Sequence, residues 1–189
     1  MNKYPKVSVL ILSYNGLELL YDSISSYLDN DYPNFDIVLI DNGSTDGTKE
    51  FVINKWPEVK IVRAEKNLGY SGGFNLGLSF CFKKNNSDYA LITNNDVLAD
   101  KNVIRELISV SESKENIGFV TGKVYYYDNP EILQSVGKHK DSVRWNGAHI
   151  GAREFDYGQH DKIVERYFTD DIYQLVKKSV YDKVGGYNL

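Results

Sequence analysis

Residues 88–96 read DYALITNND, a run of four apolar residues, Tyr89 to Ile92, that passes straight into Thr93-Asn94-Asn95-Asp96. Four apolar positions without alternation suit a central strand covered on both faces. The polar tail then emerges at the carboxyl edge of a sheet, where open α/β folds bind ligands. A carboxylate beside two carboxamides supplies oxygen ligands to a hard cation such as Mg2+ or Mn2+, and such a cation commonly bridges to phosphate. Taken alone, Asn-Asn-Asp also reads as a turn, because both residue types form turns readily. Its context therefore decides.

The context repeats the pattern. Val7 to Leu12 (VSVLIL) is a second buried strand and ends in Ser13-Tyr14-Asn15-Gly16. Leu17, Leu20, Ile24 and Leu28 then recur at helical period, with Asn15 as the expected cap. Phe35 to Ile40 (FDIVLI) is a third strand, closed by Asp41-Asn42-Gly43-Ser44. Ser44 or Asp46 is expected to cap the helix that carries Phe51 and Val52, and Pro57 stops it. Val59 to Val62 is a further strand. The glycine-rich stretch from Gly69 to Gly77 opens a helix with Phe74, Leu78 and Phe82 on one face, and Val103 to Val110 marks another. Ile117 to Tyr125 reads as a strand. The order βαβαβαβ predicts a three-layer α/β sandwich with a mostly parallel central sheet. From Tyr126 to Thr169 the pattern fails, and a loop of that length is functional or hides short strands. Ile172 to Val176 is strand-like, and Lys177 to Val184 is a short helix stopped by Gly185-Gly186.

The bulk numbers narrow the function. The 189 residues suit a single domain able to bury a real core. A net charge of −4 argues against a nucleic-acid backbone as partner, while a metal ion can supply the positive charge for a small phosphorylated ligand. One cysteine, Cys81, provides no disulfide framework and points to a reducing compartment. The first apolar run is too short for a signal sequence or a transmembrane segment. The expected location is the cytoplasm, with peripheral association at the inner face of the membrane compatible with it.

Three strands thus end in polar groups, at Tyr14-Asn15, Asp41-Asn42 and Asn94-Asn95-Asp96, and parallel strands bring such ends to one crevice. Asp41 is either a local turn residue or the acceptor for the imide N–H of a uracil or thymine base. The glycines at 69, 72, 73 and 77 match neither a P-loop nor GxGxxG. They either let backbone amides approach a ligand or let the helix pack closely on the sheet. His139, His149 and His160 lack metal-ligand spacing and read as loop or surface residues.

Together, VSVLILSYN, IVLIDNGSTDGT, NLGYSGGFNLGL and YALITNND resemble the inverting family 2 nucleotide-sugar glycosyltransferases, in particular their rhamnosyltransferase-like branch. LVKKSVYDKVGGYN is similar to that family's segment after the acceptor loop. The resemblance implies a GT-A fold, a divalent cofactor (Mg2+ or Mn2+), and transfer with inversion from a UDP- or dTDP-linked sugar to a saccharide or lipid-linked acceptor, as in polysaccharide or cell-wall synthesis. It places Ser13 and Tyr14 against base and ribose, Asp41 on the base, and Asn94 and Asp96 at the family's Asp-x-Asp metal motif. Asn15, Asn67, Gly69, Gly73 and Asn95 complete the nucleotide-binding candidates. The family's first aspartate is Asn94 here, so the metal's charge partner is Asp96. The family's general base follows the Gly-Gly-aromatic segment, which puts it beyond Leu189; Asp170-Asp171 sits at the wrong place in the pattern. The chain is thus expected to be a GT-A domain truncated before its acceptor and base region. The alternatives are a non-catalytic nucleotide-sugar-binding module of the same fold, and a nucleotidyltransferase. The latter is disfavoured because Ser13-Tyr14-Asn15-Gly16 carries no Lys or Arg for a triphosphate.

Overall fold

A computed structural model describes residues 4–140, 148–170 and 172–188. Four strands run parallel: β1 (Val7–Ser13), β2 (Phe35–Asp41), β3 (Lys60–Arg63) and β4 (Tyr89–Asn94). Between them lie α1 (Leu17–Leu28), α2 (Thr48–Lys55) and α3 (Gly69–Lys83), and α4 (Val103–Glu112) follows β4. Two further strands extend the sheet, β5 (Phe119–Val120) and β8 (Tyr173–Lys177). The strand order is β3-β2-β1-β4-β8-β5, with β8 antiparallel to both of its neighbours. The mostly parallel α/β expectation therefore holds, with one reversed strand.

The lack of alternation in β1, β2 and β4 has the expected cause. Val7, Val9, Ile11, Leu39 and Leu91 pack with Leu20, Ile24 and Val52 on one face of the sheet, joined by Ile104 and Leu107 of α4. On the other face, Leu10, Val38, Ile40, Ala90 and Ile92 pack against Phe74, Leu78 and Phe82 of α3. α5 (Lys178–Val184) joins this second layer through Tyr181. Three layers result, with the sheet buried on both sides.

Two details differ from the sequence expectation. Asn15 is not a helix cap. It takes a left-handed conformation (φ 50°), and its side-chain oxygen accepts from Thr45 N at 2.8 Å instead. The first N–H of α1 is served by Asp46 Oδ2 (3.1 Å from Leu17 N), while Asp46 Oδ1 accepts from Thr48 N and Thr48 Oγ1. One carboxylate thus serves the starts of two helices, in accord with the preference for negative charge at helix N-termini. The expected strand over 117–125 is broken. β5 stops after Val120, where Thr121 Oγ1 donates to Tyr173 O at 2.6 Å in place of a further ladder bond. A Cβ on Gly122 would lie 3.1 Å from the Tyr173 ring. The chain then leaves the sheet as β6 (Val124–Tyr126), paired with β7 (Asn129–Ser135).

The patternless stretch after Tyr126 also resolves into short antiparallel contacts. Isolated bridges join Ile132 to Phe155, and Lys138 to both His149 and Phe168. Asp171 of the acidic pair lies outside the described residues. Among the described residues, no helix is long and apolar enough to cross a membrane.

Candidate nucleotide and metal site

The strand order reverses between β1 and β4: the chain winds from β1 outward to β3, then returns to place β4 on the other side of β1. The crevice beyond the carboxyl ends at such a switch point is the expected ligand site of an open α/β sheet. Here it is spanned by one side chain. Asn95 Nδ2 donates to Ser13 Oγ at 3.2 Å and reaches Gly16 O at 3.5 Å. Gly16 is required for this approach, because a Cβ at that position would run into the Asn95 carboxamide. Ser13 itself is buried, whereas the Tyr14 ring beside it is half exposed and available to stack.

The end of β2 is more heavily engaged than the sequence suggests. Asp41 has no solvent exposure. Its Oδ1 accepts from Ser44 N at 2.8 Å, and its Oδ2 pairs with the Arg63 guanidinium. Arg63 also donates to Ser44 O at 2.7 Å, which closes the loop onto the strand end. Arg63 did not stand out in the sequence. It is the last residue of a short strand, and only the parallel register, which pairs Asp41 with Arg63, brings the two together. The turn reading of Asp41 is thus realised, and two of the carboxylate's four lone-pair sites are taken.

The glycine-rich segment divides into two kinds of position. Asn42, buried at the end of β2, donates to Asn67 Oδ1 (3.0 Å) and to Gly69 O (3.1 Å), and accepts from Leu68 N (3.0 Å). Asn67 Oδ1 also accepts from Gly69 N at 2.8 Å. Asn67 therefore shapes the entry to α3. Gly69 has a positive φ of 70° and open space where a Cβ would be. Gly73 faces the sheet instead: a Cβ there would lie 2.5 Å from Leu12 Cδ1 and 3.3 Å from the Asn42 amide. Close helix-to-sheet packing explains Gly73.

Asn94, half-buried, is the last residue of β4, and Asp96, two residues on, is exposed. No described residue engages the side chain of either. The strand beneath them is held from below: Tyr27 OH, fully buried, donates to Thr93 Oγ1 at 3.0 Å, and burial pushes that phenol well above its usual range. Among the described residues, no three His, Cys, Asp or Glu side chains gather to form a cage for a metal ion. One carboxylate with a neutral carboxamide fits a different kind of site, in which a cation takes its remaining oxygens from a phosphate ligand and water.

Comparison with known proteins follows this geometry. Residues 8–186 match the model of the family described as Glycosyl transferase family 2. An uncharacterized glycosyltransferase of Haemophilus influenzae is 32% identical over 120 residues, covering 62% of this chain and 36% of that protein. The poly-β-1,6-N-acetyl-D-glucosamine synthase of Staphylococcus epidermidis is 28% identical over 132 residues, covering 69% of this chain and 31% of the synthase. The chain thus spans about a third of the length of these curated relatives. Among solved structures, the mannosyltransferase PcManGT from Pyrobaculum calidifontis, in complex with GDP-Man and Mn2+, superposes with a TM-score of 0.67 at 18% identity, covering 99% of this chain and 48% of that one. TarS of S. aureus in complex with UDP gives a TM-score of 0.64 at 16% identity, covering 94% of this chain and 48% of that one. These likenesses show the fold, which is the GT-A arrangement of parallel strands with a reversed strand beside β4. With residues 8–186 of its 189 matched to the family model, the chain belongs to glycosyl transferase family 2.

Proposed function

We propose that this chain binds the nucleotide-sugar donor in a metal-assisted, inverting glycosyl transfer. The observation that carries the reading is the switch-point crevice. There Asn95 ties the end of β4 to Ser13 of β1, and the exposed, unengaged Asp96 carboxylate is the next residue along the chain. A nucleoside diphosphate sugar, UDP- or dTDP-linked, fits that order. The base lies toward β2, the ribose against Ser13 and the half-exposed Tyr14 ring, and the diphosphate toward Asn94 and Asp96. Asn15, Asn67 and Gly69 border the same crevice, while Gly73 lets α3 pack closely on the sheet behind it. Asp41 has lone pairs left after Ser44 and Arg63, and a base imide N–H is the donor suited to them. Arg63 lies over Asp41, so its side chain, 40% exposed, is the group that has to give way.

A divalent cation, Mg2+ or Mn2+, held by Asp96 with Asn94 beside it, supplies Lewis-acid neutralisation of the departing diphosphate when bound. Deprotonation of the acceptor hydroxyl, saccharide or lipid-linked, is assigned to a carboxylate that the family resemblance places after the Gly185-Gly186-Tyr187 segment. The lone carboxylate of Asn94-Asn95-Asp96 also favours a second reading, a nucleotide-sugar-binding module of the same fold without transfer. Assay of donor hydrolysis and sugar transfer separates the two.

The direct test is calorimetric titration of UDP, dTDP and GDP at fixed Mn2+, repeated with chelator. Metal and diphosphate share one site, so each raises the affinity of the other. Asp96→Asn is expected to abolish that coupling, and Asn94→Ala to reduce it much less. A wild-type affinity that chelator leaves unchanged would return Asn94-Asn95-Asp96 to the role of a turn.

A further inference from the structure

Asp170 is 2% exposed, yet its carboxylate has few partners among the described residues. Its Oδ1 is 3.8 Å from Lys138 Nζ, beyond hydrogen-bond reach. Its Oδ2 is 2.9 Å from His149 Nδ1, but off the line of a good hydrogen bond, so Oδ2 has no hydrogen-bond partner among the described residues. A buried carboxylate is costly unless paired and hydrogen-bonded. Among the described residues, the pairing leaves room for a third group at this carboxylate.

The topology says where that group would sit. β8 runs antiparallel to β4 with Tyr173 opposite Thr93. The residues that precede Tyr173 therefore extend past the carboxyl end of β4, on the side away from β1. Asp170 is three residues before Tyr173, within about 10 Å along an extended chain. Along the edge, the order is β2 and β1 with Asp41 and Ser13, then β4 with Asp96, then the entry to β8 with Asp170. A nucleotide sugar laid base-first from β2 brings its hexose to this last position. His149 is carried there by the bridge between Lys138 and His149, and its side chain is 38% exposed. It spans from the buried carboxylate to the surface.

We propose that His149 is a hydroxyl-binding residue for the hexose of the donor, and that Asp170 is the positioning residue behind it. With Asp170 facing Nδ1, the imidazole keeps its proton on that side and turns the Nε2 lone pair outward, as an acceptor for a sugar O–H. A hydroxyl at Nε2 draws the ring into line and completes the pair. This inference rests on the nucleotide-sugar reading above, and adds to it the group that tells the sugar from the bare diphosphate.

The test compares each nucleotide sugar with its parent diphosphate by calorimetry in Mn2+: UDP-glucose and UDP-N-acetylglucosamine against UDP, dTDP-glucose against dTDP, GDP-mannose against GDP. The wild-type chain is expected to prefer at least one sugar form. His149→Ala should remove about five- to tenfold of that preference, the size of one lost hydrogen bond, while affinity for the parent diphosphate stays within about twofold. Asp170→Asn should do the same, because an amide can donate to Nδ1 and shift the ring proton to Nε2. His149→Gln, which keeps an acceptor, should recover part of the preference. A merely structural pair would instead lower the melting temperature and both affinities together. Normal diphosphate binding with the sugar preference untouched in His149→Ala overturns this inference alone. No binding of any diphosphate removes the donor reading and this inference with it.

Discussion

A carboxylate without solvent contact persists at Asp41 because a backbone N–H and a guanidinium face it. The two partners of this ion pair are unequally placed, since Asp41 is fully buried and the Arg63 side chain is 40% exposed. That asymmetry fixes the direction of a mutational comparison. Arg63→Ala strands a buried charge, which costs on the order of 3–5 kcal/mol. Asp41→Asn leaves a guanidinium that water can reach, and costs on the order of 1–3 kcal/mol, mainly in weakened hydrogen bonds. Urea unfolding of both variants checks this; equal costs, or the reverse order, would show that solvent already screens the pair. Arg63 also marks the limit of legibility at this scale. Asp41 was readable as the polar end of an apolar strand, but its cation depends on the register between β2 and β3. His149 was read as a loop residue for the same kind of reason: its partner, Asp170, is 21 positions away and meets it only through the bridge network around Lys138.

At the scale of elements, α3 shows how a sequence ambiguity resolves in packing. Its glycines suited either a ligand cradle or close contact with the sheet, and Gly73 and Gly77 prove to be contact positions. A Cβ at Gly77 would strike the end of Ile40, with Ile40 Cγ1 at 2.8 Å, inside a core where both are buried. Gly77→Ala gains up to about 1 kcal/mol of helix propensity, but overpacking a filled core costs about 1–3 kcal/mol. The net expectation is a loss of stability. Because the clash is with one methyl-bearing arm, Ile40→Val should relieve part of it, so the double variant should lose less than the sum of the single losses. Additive losses in thermal or urea melts would mean that the backbone, not Ile40, absorbs the change. The strands tell a parallel story. β1, β2 and β4 were legible from unbroken apolar runs that both helical layers cover. β8 was legible as a strand, though not as a reversed one, because strand direction is set by the chain's return path after Tyr126 and leaves no mark on a five-residue run.

At the scale of the whole molecule, the two edges of the sheet carry different duties. The carboxyl edge leaves Asp96 unengaged, whereas the amino edge is closed by a polar knot around Asp36. Ser8 Oγ (2.7 Å) and Lys60 Nζ (2.7 Å) donate to its carboxylate, as does Asn85 Nδ2 (2.8 Å), so β1, β2, β3 and the end of α3 meet there. Burial pushes the Asp36 carboxyl up, but the hydrogen bonds from Lys60, Ser8 and Asn85 outweigh it and hold the group below the usual carboxylate range. The sign of the pH effect follows. With the folded value depressed, the unfolded chain binds more protons in acid, so stability falls as pH falls. The contribution is fully present above the ordinary aspartate range, near about pH 4, and is lost as pH drops through the folded value. Asp36→Asn should therefore lower the melting temperature at neutral pH, and flatten its decline in acid relative to wild type. Because the knot lies at the opposite end of the strands from the crevice, the same variant should keep the coupling between Mn2+ and nucleoside diphosphate. Asp96→Asn should show the reverse, an unchanged melting temperature without ligand and no upward shift when Mn2+ and diphosphate are added together. If Asp36→Asn also abolished the ligand-induced shift in a folded protein, the separation of duties between the two edges would be wrong, and the crevice would depend on strand register set from the far end of the sheet.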